Sequence, residues 1–416
     1  MIPNALSRRA VSAAALALAA SPARAFADPL AGAALYGDVK TYAGFGHHRT
    51  GTKGDAAVTA WLARALRASG YQVQTQGFDY PVFELQLADV STDEGAIQGF
   101  PVWTPTARPR RVAAPLALSP RPGVTALVTL PDGAGGGLGP PAVQPIEAAI
   151  RAGAAAVVAV TDNRLGEMAA LNALPKAPPW PVPVIIVAGR DGPRLRGMEG
   201  RTVSVRLEGR HVIRRAENVV ARRPRPGRRL VVSTPKSGWM SCAGERGSGL
   251  AVWLGLARWL AAETAHNLTL VATSGHEFDG YGGHLFTERL APRPAQTKLW
   301  LHLGANIASY DFGLEDGRIV RRPGPPAARL LACSPGLVPA AAKAFAGQPG
   351  YSAPSDISQR RPPGEAAQFR DLGYEPLMAM VAGHPLHHTP RDLPDVTGPE
   401  LLEPVARGLK AVLATI

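Results

Sequence analysis

Long apolar stretches, cysteine and lysine are all scarce in this sequence, and each scarcity limits the structures that the protein can form. After an apolar run that ends at Ala20, no stretch approaches the length of a membrane-spanning helix, so we expect no stable membrane span. Cysteine occurs only at positions 242 and 333, so at most one internal disulfide can form, and the sequence does not show that the two thiols meet. Lysine occurs only at positions 40, 53, 176, 236, 298, 343 and 410, so the formal net charge of +13 comes from arginine.

The arginines are densest between Arg206 and Arg229. A surface that binds nucleic acid would predict such clustering. However, the run has no interleaved aromatic residue and contains a Pro- and Gly-rich turn signal at Pro224–Gly227. We therefore expect a solvated connector, with contact to a polyanion or an anionic surface as the alternative, and no nucleic-acid partner.

The N-terminus has the three-part layout of an export signal. Arg8 and Arg9 precede the uncharged run Ala10–Ala20, and small residues offer cleavage sites near Ala25–Ala27. The paired arginines favour the twin-arginine route. We predict a signal peptide over residues 1–27 and a mature protein that is periplasmic or secreted.

The rest of the chain indicates two domains. Hydrophobic residues make up 46% of the sequence, which is enough for a sizeable core, and 416 residues favour one large domain plus a smaller one. Between residues 85 and 210, short apolar strands surround one Ala-rich helix at Ile146–Gly153, after a Gly- and Pro-rich loop at Pro131–Pro145. We predict a small β-rich domain over 85–210, inserted into a larger domain formed by 28–84 and 211–416.

The larger domain alternates strand and helix patterns from Leu230 to Ala414. Such alternation predicts an α/β fold with a mostly parallel central sheet flanked by helices. Ligands in these folds bind beyond the carboxyl ends of the strands. Three loops at predicted strand ends carry histidine or carboxylate side chains: Thr234–Gly249, Ser274–Phe278 and His384–Asp392. Each loop alone is typical of a helix cap or a turn. Together, the three loops provide the residue types that a zinc site requires.

In order and spacing these loops resemble the M28 family of zinc aminopeptidases. The insert resembles the protease-associated (PA) domain of some members at Ile146–Val158, at Val182–Val187 and at the exit Glu217–Val220, and Gly51–Gly54 also looks familial. The resemblance covers nearly the whole mature chain. It implies an M28-like α/β domain with an inserted PA-like β domain, and hydrolysis of peptide or amide bonds.

The resemblance also implies metal ligands at five positions, of which three keep a suitable donor. These donors are Glu245 at the bridging position, Glu277 in the second place of a Glu-Glu pair, and His388 in a His-Thr-Pro turn. Thr234–Ser237 has no ligand where the family has a His and its Asp partner, and Gly304 stands at the later Asp position. Three donors suffice for one zinc ion with an open position and are too few for the family's two.

Other site candidates follow from neighbouring positions. His276 stands where the family has its general base, and His302 shares a strand face with the later Asp position, which makes it a weaker metal candidate. Glu365 falls where the family often has an acidic residue, so it is a weaker candidate for binding substrate. Trp239 and Tyr281 either line a pocket for an apolar group or pack in the core.

Three hypotheses for function remain open at this point. The first is an exported hydrolase that holds one zinc ion through Glu245, Glu277 and His388. The second is a non-catalytic relative that binds peptides or small amines. The third is a metal-free hydrolase with Cys242 as nucleophile and His276 as its base, against which Cys242 could simply pack as a small apolar residue or pair with Cys333.

Overall fold

The computed structural model describes residues 28–101, 110–131, 140–173 and 180–416. The predicted export signal and its cleavage sites lie outside these residues. Among the residues described, no helix is both long and apolar enough to cross a membrane.

The described part of the chain alternates helices and strands. The helices are α1 (Gly32–Gly44), α2 (Lys53–Ala68), α3 (Pro140–Arg151), α4 (Gly192–Arg196), α5 (Ser248–Glu263), α6 (Tyr281–Arg289), α7 (Val338–Ala344), α8 (Glu365–Asp371) and α9 (Pro399–Leu413). The strands are β1 (Gln72–Thr92), β2 (Gly95–Pro101), β3 (Arg110–Ala117), β4 (Thr125–Leu130), β5 (Ala156–Thr161), β6 (Val184–Val187), β7 (Thr202–Arg223), β8 (Arg229–Pro235), β9 (Asn267–Thr273), β10 (Thr297–Leu303), β11 (Phe312–Glu315), β12 (Arg318–Arg321), β13 (Arg329–Cys333), β14 (Ser355–Asp356) and β15 (Leu377–Ala382).

The central sheet has its parallel strands in the middle. Its order is β1-β7-β9-β8-β10-β15-β13-β14, in which β9, β8, β10 and β15 are parallel neighbours. Antiparallel pairs flank this block, between β7 and β9 on one side and between β15 and β13 on the other. The predicted α/β class with a mostly parallel central sheet is therefore confirmed.

Helices cover both faces of this sheet, as its apolar strands require. Helices α1, α5 and α9 pack together, and α5 lies against β8 and β10. A second apolar cluster combines sheet residues with residues of α6 and α8. It contains Val220, Val231, Val271 and Trp300 from the strands, with Phe286 and Phe369 from the two helices. Burial on both faces leaves the loops at the strand ends as the place where polar side chains can meet.

Strands β1 and β7 connect the central sheet to the insert. They pair antiparallel from Gln72↔Arg222 to Ser91↔Ser204, so the predicted boundaries at 85 and 210 fall inside continuous strands. In the insert the pairings β7-β3-β4-β5-β6-β2-β1 form a ring that β1 and β7 close. This ring leaves no unpaired sheet edge. The division of the chain at these boundaries and the PA-like nature of the insert stay predictions.

Two sequence interpretations are wrong in detail. The last part of the predicted loop Pro131–Pro145 belongs to α3, whose prolines at 140 and 141 stand in the first turn, where a missing N–H costs nothing. The Arg-rich run is largely strand β7 and not a connector. Its arginines pair with β1 carboxylates, as Arg206 does with Asp89 and Arg214 with Glu84, which leaves less free charge for a polyanion.

A candidate active site in a histidine-rich cavity

A cavity of about 1030 Å³ opens at the ends of the parallel strands. Its wall combines residues of the larger domain with the insert segment Thr161–Ala173 and with Leu130 and Pro131, which also belong to the insert. Among the described residues, five non-glycine residues have positive φ, and four of them lie in loops at or beside this cavity. Non-glycine residues with positive φ cluster at functional sites, because the rest of the fold must compensate their backbone strain. The four are Cys242, Asp279, Asn306 and His388.

One wall of the cavity presents a histidine held by a carboxylate. The His276 Nδ1 lies 2.9 Å from Glu365 Oε1. His276 keeps about a fifth of its side chain exposed, whereas Glu365 is buried. Burial alone would raise the pKa of Glu365, but the hydrogen bond to His276 and the nearby positive groups lower it to about 2. Glu365 is therefore an anion that fixes the ring of His276, and it does not act as an open substrate-binding group.

His302 stands behind this pair. Its Nδ1 lies 2.9 Å from Ser233 Oγ, and its Nε2 lies 3.9 Å from Glu365 Oε2. Burial lowers the pKa of His302 to about 4, so its ring is neutral near pH 7. The structure does not bring His302 together with the other predicted metal donors, because its ring faces Ser233 on one side and Glu365 on the other.

Across the cavity, Glu245, His387 and His388 form a group of potential metal donors that lie within 4.8 Å of one another. His388 Nδ1 lies 2.8 Å from the carbonyl oxygen of Ala170, and its Nε2 lies 3.0 Å from Glu245 Oε1. A carbonyl only accepts, so Nδ1 carries the proton and the neutral ring presents a lone pair at Nε2. Two acceptor atoms then face each other, and a proton or a metal ion is needed between them.

Arg246 adds a buried positive charge to this group of potential metal donors. Its fully buried guanidinium lies 2.5 Å from Glu245 Oε1 and donates to the Ser237 carbonyl at 3.0 Å. Burial opposes ionisation of Glu245, but the charge of Arg246, followed by interactions with His388 and His387, holds its pKa well below the usual range. The second oxygen, Glu245 Oε2, is buried and has no hydrogen-bond partner. Such an atom costs about 1–3 kcal/mol unless a further group satisfies it.

These residues fit one metal ion and do not fit two. The unpartnered Glu245 oxygen and the Nε2 lone pair of His388 suit zinc, and the Ala170 carbonyl orients the imidazole in the way that metal-bound histidines require. A second ion lacks ligands, since the Thr234 hydroxyl donates to the Leu303 carbonyl at 2.9 Å. At Gly304 even a Cβ atom would lie 2.9 Å from the Met380 carbonyl oxygen, so an Asp there would force the backbone apart.

Glu277 is not part of this group, and its prediction as a ligand is corrected. Its Oε1 accepts from the Thr50 amide at 2.6 Å and from the Thr50 hydroxyl at 2.8 Å. Its Oε2 accepts from the Ser237 hydroxyl at 2.7 Å. The side chain is fully buried and its hydrogen bonds tie three separate loops together. Its carboxylate is therefore used as a structural acceptor.

Lys236 occupies the region where the family has its first His and Asp. Its buried ammonium pairs with Asp55 and lies 2.6 Å from Ser274 Oγ, so its partner is neither Glu245 nor Glu277. Ser274 Oγ in turn lies 2.7 Å from Asp55 Oδ1. This ion pair joins helix α2 to the ends of β8 and β9.

The surroundings of Cys242 contradict a role as nucleophile. Its side chain is fully buried, and its sulfur accepts from the Met240 amide at 3.3 Å. Burial, followed by the charges of Glu245 and Asp392, raises its pKa well above the usual value. A thiolate is therefore disfavoured. Cys242 and Cys333 are both free, so they form no disulfide with each other.

Trp239 packs in the interior, Tyr281 packs partly buried against the core, and neither lines the cavity. Trp239 is fully buried, with its ring 5.7 Å from that of Phe278, and its Nε1 donates to Asn172 at 2.9 Å. Tyr281 packs against the ring of Tyr80 at 5.0 Å. Of the two interpretations of these aromatics, core packing is the correct one.

Several residues at the site were missed from the sequence. His387 adjoins a predicted ligand, and the His-His pair itself is a signal that could have identified it. Arg246 and the insert segment had no such signal. The segment contacts the site through Ala170, whose amide donates to the His388 carbonyl at 2.9 Å, and through Ala173, whose amide donates to the Glu277 carbonyl at 2.8 Å.

Comparisons with known proteins agree with this architecture. No protein-family model and no curated protein matches the chain. Among solved structures, the zinc aminopeptidase BSAP from Bacillus subtilis superposes with a TM-score of 0.70 and 17% identity, over 93% of this chain and 96% of that one. A peptidase M28 precursor from Shewanella amazonensis SB2B gives a TM-score of 0.70 and 15% identity, over 91% and 92% of the two chains. An aminopeptidase from Aneurinibacillus sp. strain AM-1 gives 0.61 and 16%, over 92% and 93%. The chain therefore has the M28 zinc-aminopeptidase fold.

Proposed function

We propose that the protein hydrolyses peptide or amide bonds with a divergent centre that holds at most one metal ion. The observation that supports this most strongly is the pair of His276 and Glu365, which faces the same cavity as His387 and His388. The cavity is large enough for a small ligand. On the N-terminal sequence, we place this activity outside the cytoplasm, after export.

His276 is the residue that moves the proton. Its Nδ1 donates to the Glu365 carboxylate, which leaves the Nε2 lone pair for a water molecule in the cavity. Glu365 stabilises the imidazolium that forms when His276 takes a proton from that water. The same imidazolium can then protonate the departing amine.

Glu245, His387 and His388 would hold the metal. A zinc ion bound there would supply electrophilic activation of the scissile carbonyl. The buried Arg246 beside Glu245 lowers the net negative charge of the donor set, which disfavours a second dication. The donor set therefore supports a mononuclear centre.

Hydrolysis of a panel of unblocked and N-acylated dipeptides and amides, followed by mass spectrometry, tests the proposal. We expect turnover that dipicolinate abolishes and added zinc restores, with no effect of iodoacetamide, because Cys242 is buried. A His276→Ala preparation purified in parallel controls for contaminating peptidases.

A different result would point to the binding protein. Compounds that raise the thermal midpoint but are never cleaved would contradict hydrolysis and favour a relative that binds peptides or small amines. Turnover that survives the chelator would contradict the metal and retain the hydrolase.

A further inference from the structure

We propose that His302 is a positioning residue, held by Ser233 and Trp300, that keeps Glu365 aimed at His276. This inference rests on the proposed function, in which His276 moves the proton. It assigns a role to a buried row of three side chains, Trp300, Ser233 and His302, of which His302 reaches the cavity wall.

The row has a defined direction of hydrogen bonding. The Trp300 indole N–H can only donate, and it lies 2.8 Å from Ser233 Oγ. The described residues place no other acceptor within hydrogen-bond distance of the Ser233 hydroxyl, so it donates its own proton to His302 Nδ1 at 2.9 Å. His302 Nδ1 is then an acceptor, so the neutral ring carries its proton on Nε2. That N–H faces Glu365 Oε2 at 3.9 Å.

Glu365 is thereby approached from two sides. Its Oε1 meets His276 and its Oε2 faces His302, and the carboxylate is almost completely buried. A buried carboxylate oxygen that lacks a polar neighbour costs free energy. At 3.9 Å the His302 N–H makes an electrostatic contact with Glu365 Oε2 that is longer than a hydrogen bond, and this contact favours the orientation in which Oε1 meets the Nδ1 of His276.

Aromatic packing holds the row rigid. The ring of Phe369 stacks on Trp300 at 4.2 Å and meets the ring of His302 edge-on at 5.2 Å. Phe369 belongs to α8, the helix that begins with Glu365. Helix α8 therefore carries both the Glu365 carboxylate and the Phe369 ring, which packs against His302. A proton-transfer group needs this kind of pre-organisation from the residues that support it.

The test compares His302→Leu with His302→Gln in protein labelled with ¹⁵N in the histidine rings. In the wild type, NMR of the ring nitrogens should show His276 as the Nδ1–H form, assigned by loss of its signals in His276→Ala. In His302→Leu we expect a mixture of both forms and a fall in kcat of about tenfold at unchanged KM. His302→Gln keeps an N–H donor and should recover most of both. His266→Gln, at a half-buried histidine outside this cavity, is the matched control and should change neither.

The outcomes separate this inference from the proposed function, because the NMR signals need no substrate. If the His276 signals change in His302→Leu but the wild type hydrolyses no substrate, the positioning role of His302 is supported and the proposed hydrolase activity is rejected. Unaltered His276 signals in a His302→Leu protein with a native thermal transition would overturn the inference. If His302→Leu does not fold, unaltered signals in Ser233→Ala, which removes the hydroxyl that sets the His302 ring, would overturn it equally.

Discussion

His276→Ala should lower kcat for amide hydrolysis by roughly 10²–10⁴-fold, the range expected when a general base is removed. KM and zinc content should change little, because His276 is bonded to Glu365 and lies outside the group formed by Glu245, His387 and His388. Glu365→Gln should cause a smaller loss, since the amide keeps the shape of the carboxylate but not its charge.

Steady-state kinetics on a substrate identified in the dipeptide and amide panel measure both parameters. His284→Ala is the matched control, because His284 lines the same cavity, is exposed, and has no side-chain hydrogen bond in the described structure. Full activity of His276→Ala would contradict the assignment of the base. A rise in KM without loss of kcat would assign His276 to binding instead.

Lys236→Met should lower the free energy of unfolding by roughly 3–5 kcal/mol, the cost of breaking a buried ion pair from one side. The substitution leaves the Asp55 carboxylate buried without its cation, and Asp55 also accepts from the Gly51 amide at 3.0 Å, which limits its freedom to turn towards water. Lys236→Met/Asp55→Asn should recover part of the loss, because the unpaired charge is then absent.

Urea unfolding followed by tryptophan fluorescence measures this difference, with the exposed Lys343→Met as the matched control. A loss below about 1 kcal/mol, the value typical of a surface ion pair, would show that the pair is not a buried structural link. In the proposed mononuclear centre, the buried Lys236 ammonium stands where the family resemblance implies the first His and Asp, and it offers no lone pair to a second cation.

The fold could be predicted because it depends on periodicity and on the order of elements. Strands β8, β9, β10 and β15 are predominantly apolar, and each is followed by a loop or helix signal. This pattern predicts a sheet that is buried on both faces. The hairpin of β11 and β12 was missed, because its strands have only four residues each and mix apolar with charged side chains. Strand β13 was missed as well, since five residues next to prolines give little periodic signal.

The sequence predicts which loop carries each site residue, but it does not predict the direction in which a side chain points within that loop. Glu245 and His388 meet because Asp392, in the loop after β15, accepts from the Gly244 and Glu245 amides of the loop after β8 at 2.6 and 3.0 Å. Glu277 lies in the expected loop but turns towards Thr50, a residue more than two hundred positions away. No local pattern reports such a long-range hydrogen bond.

The metal content of the mature protein, purified without chelator or nickel resin, tests the central claim most directly. We predict about one zinc ion per chain by elemental mass spectrometry. His388→Ala should contain almost none, and Glu277→Gln, in which the residue is equally buried but bonded to Thr50 and Ser237, should keep the wild-type amount. A zinc-free wild type, or a Glu277→Gln protein that loses its zinc while remaining folded, would contradict the mononuclear centre at Glu245, His387 and His388.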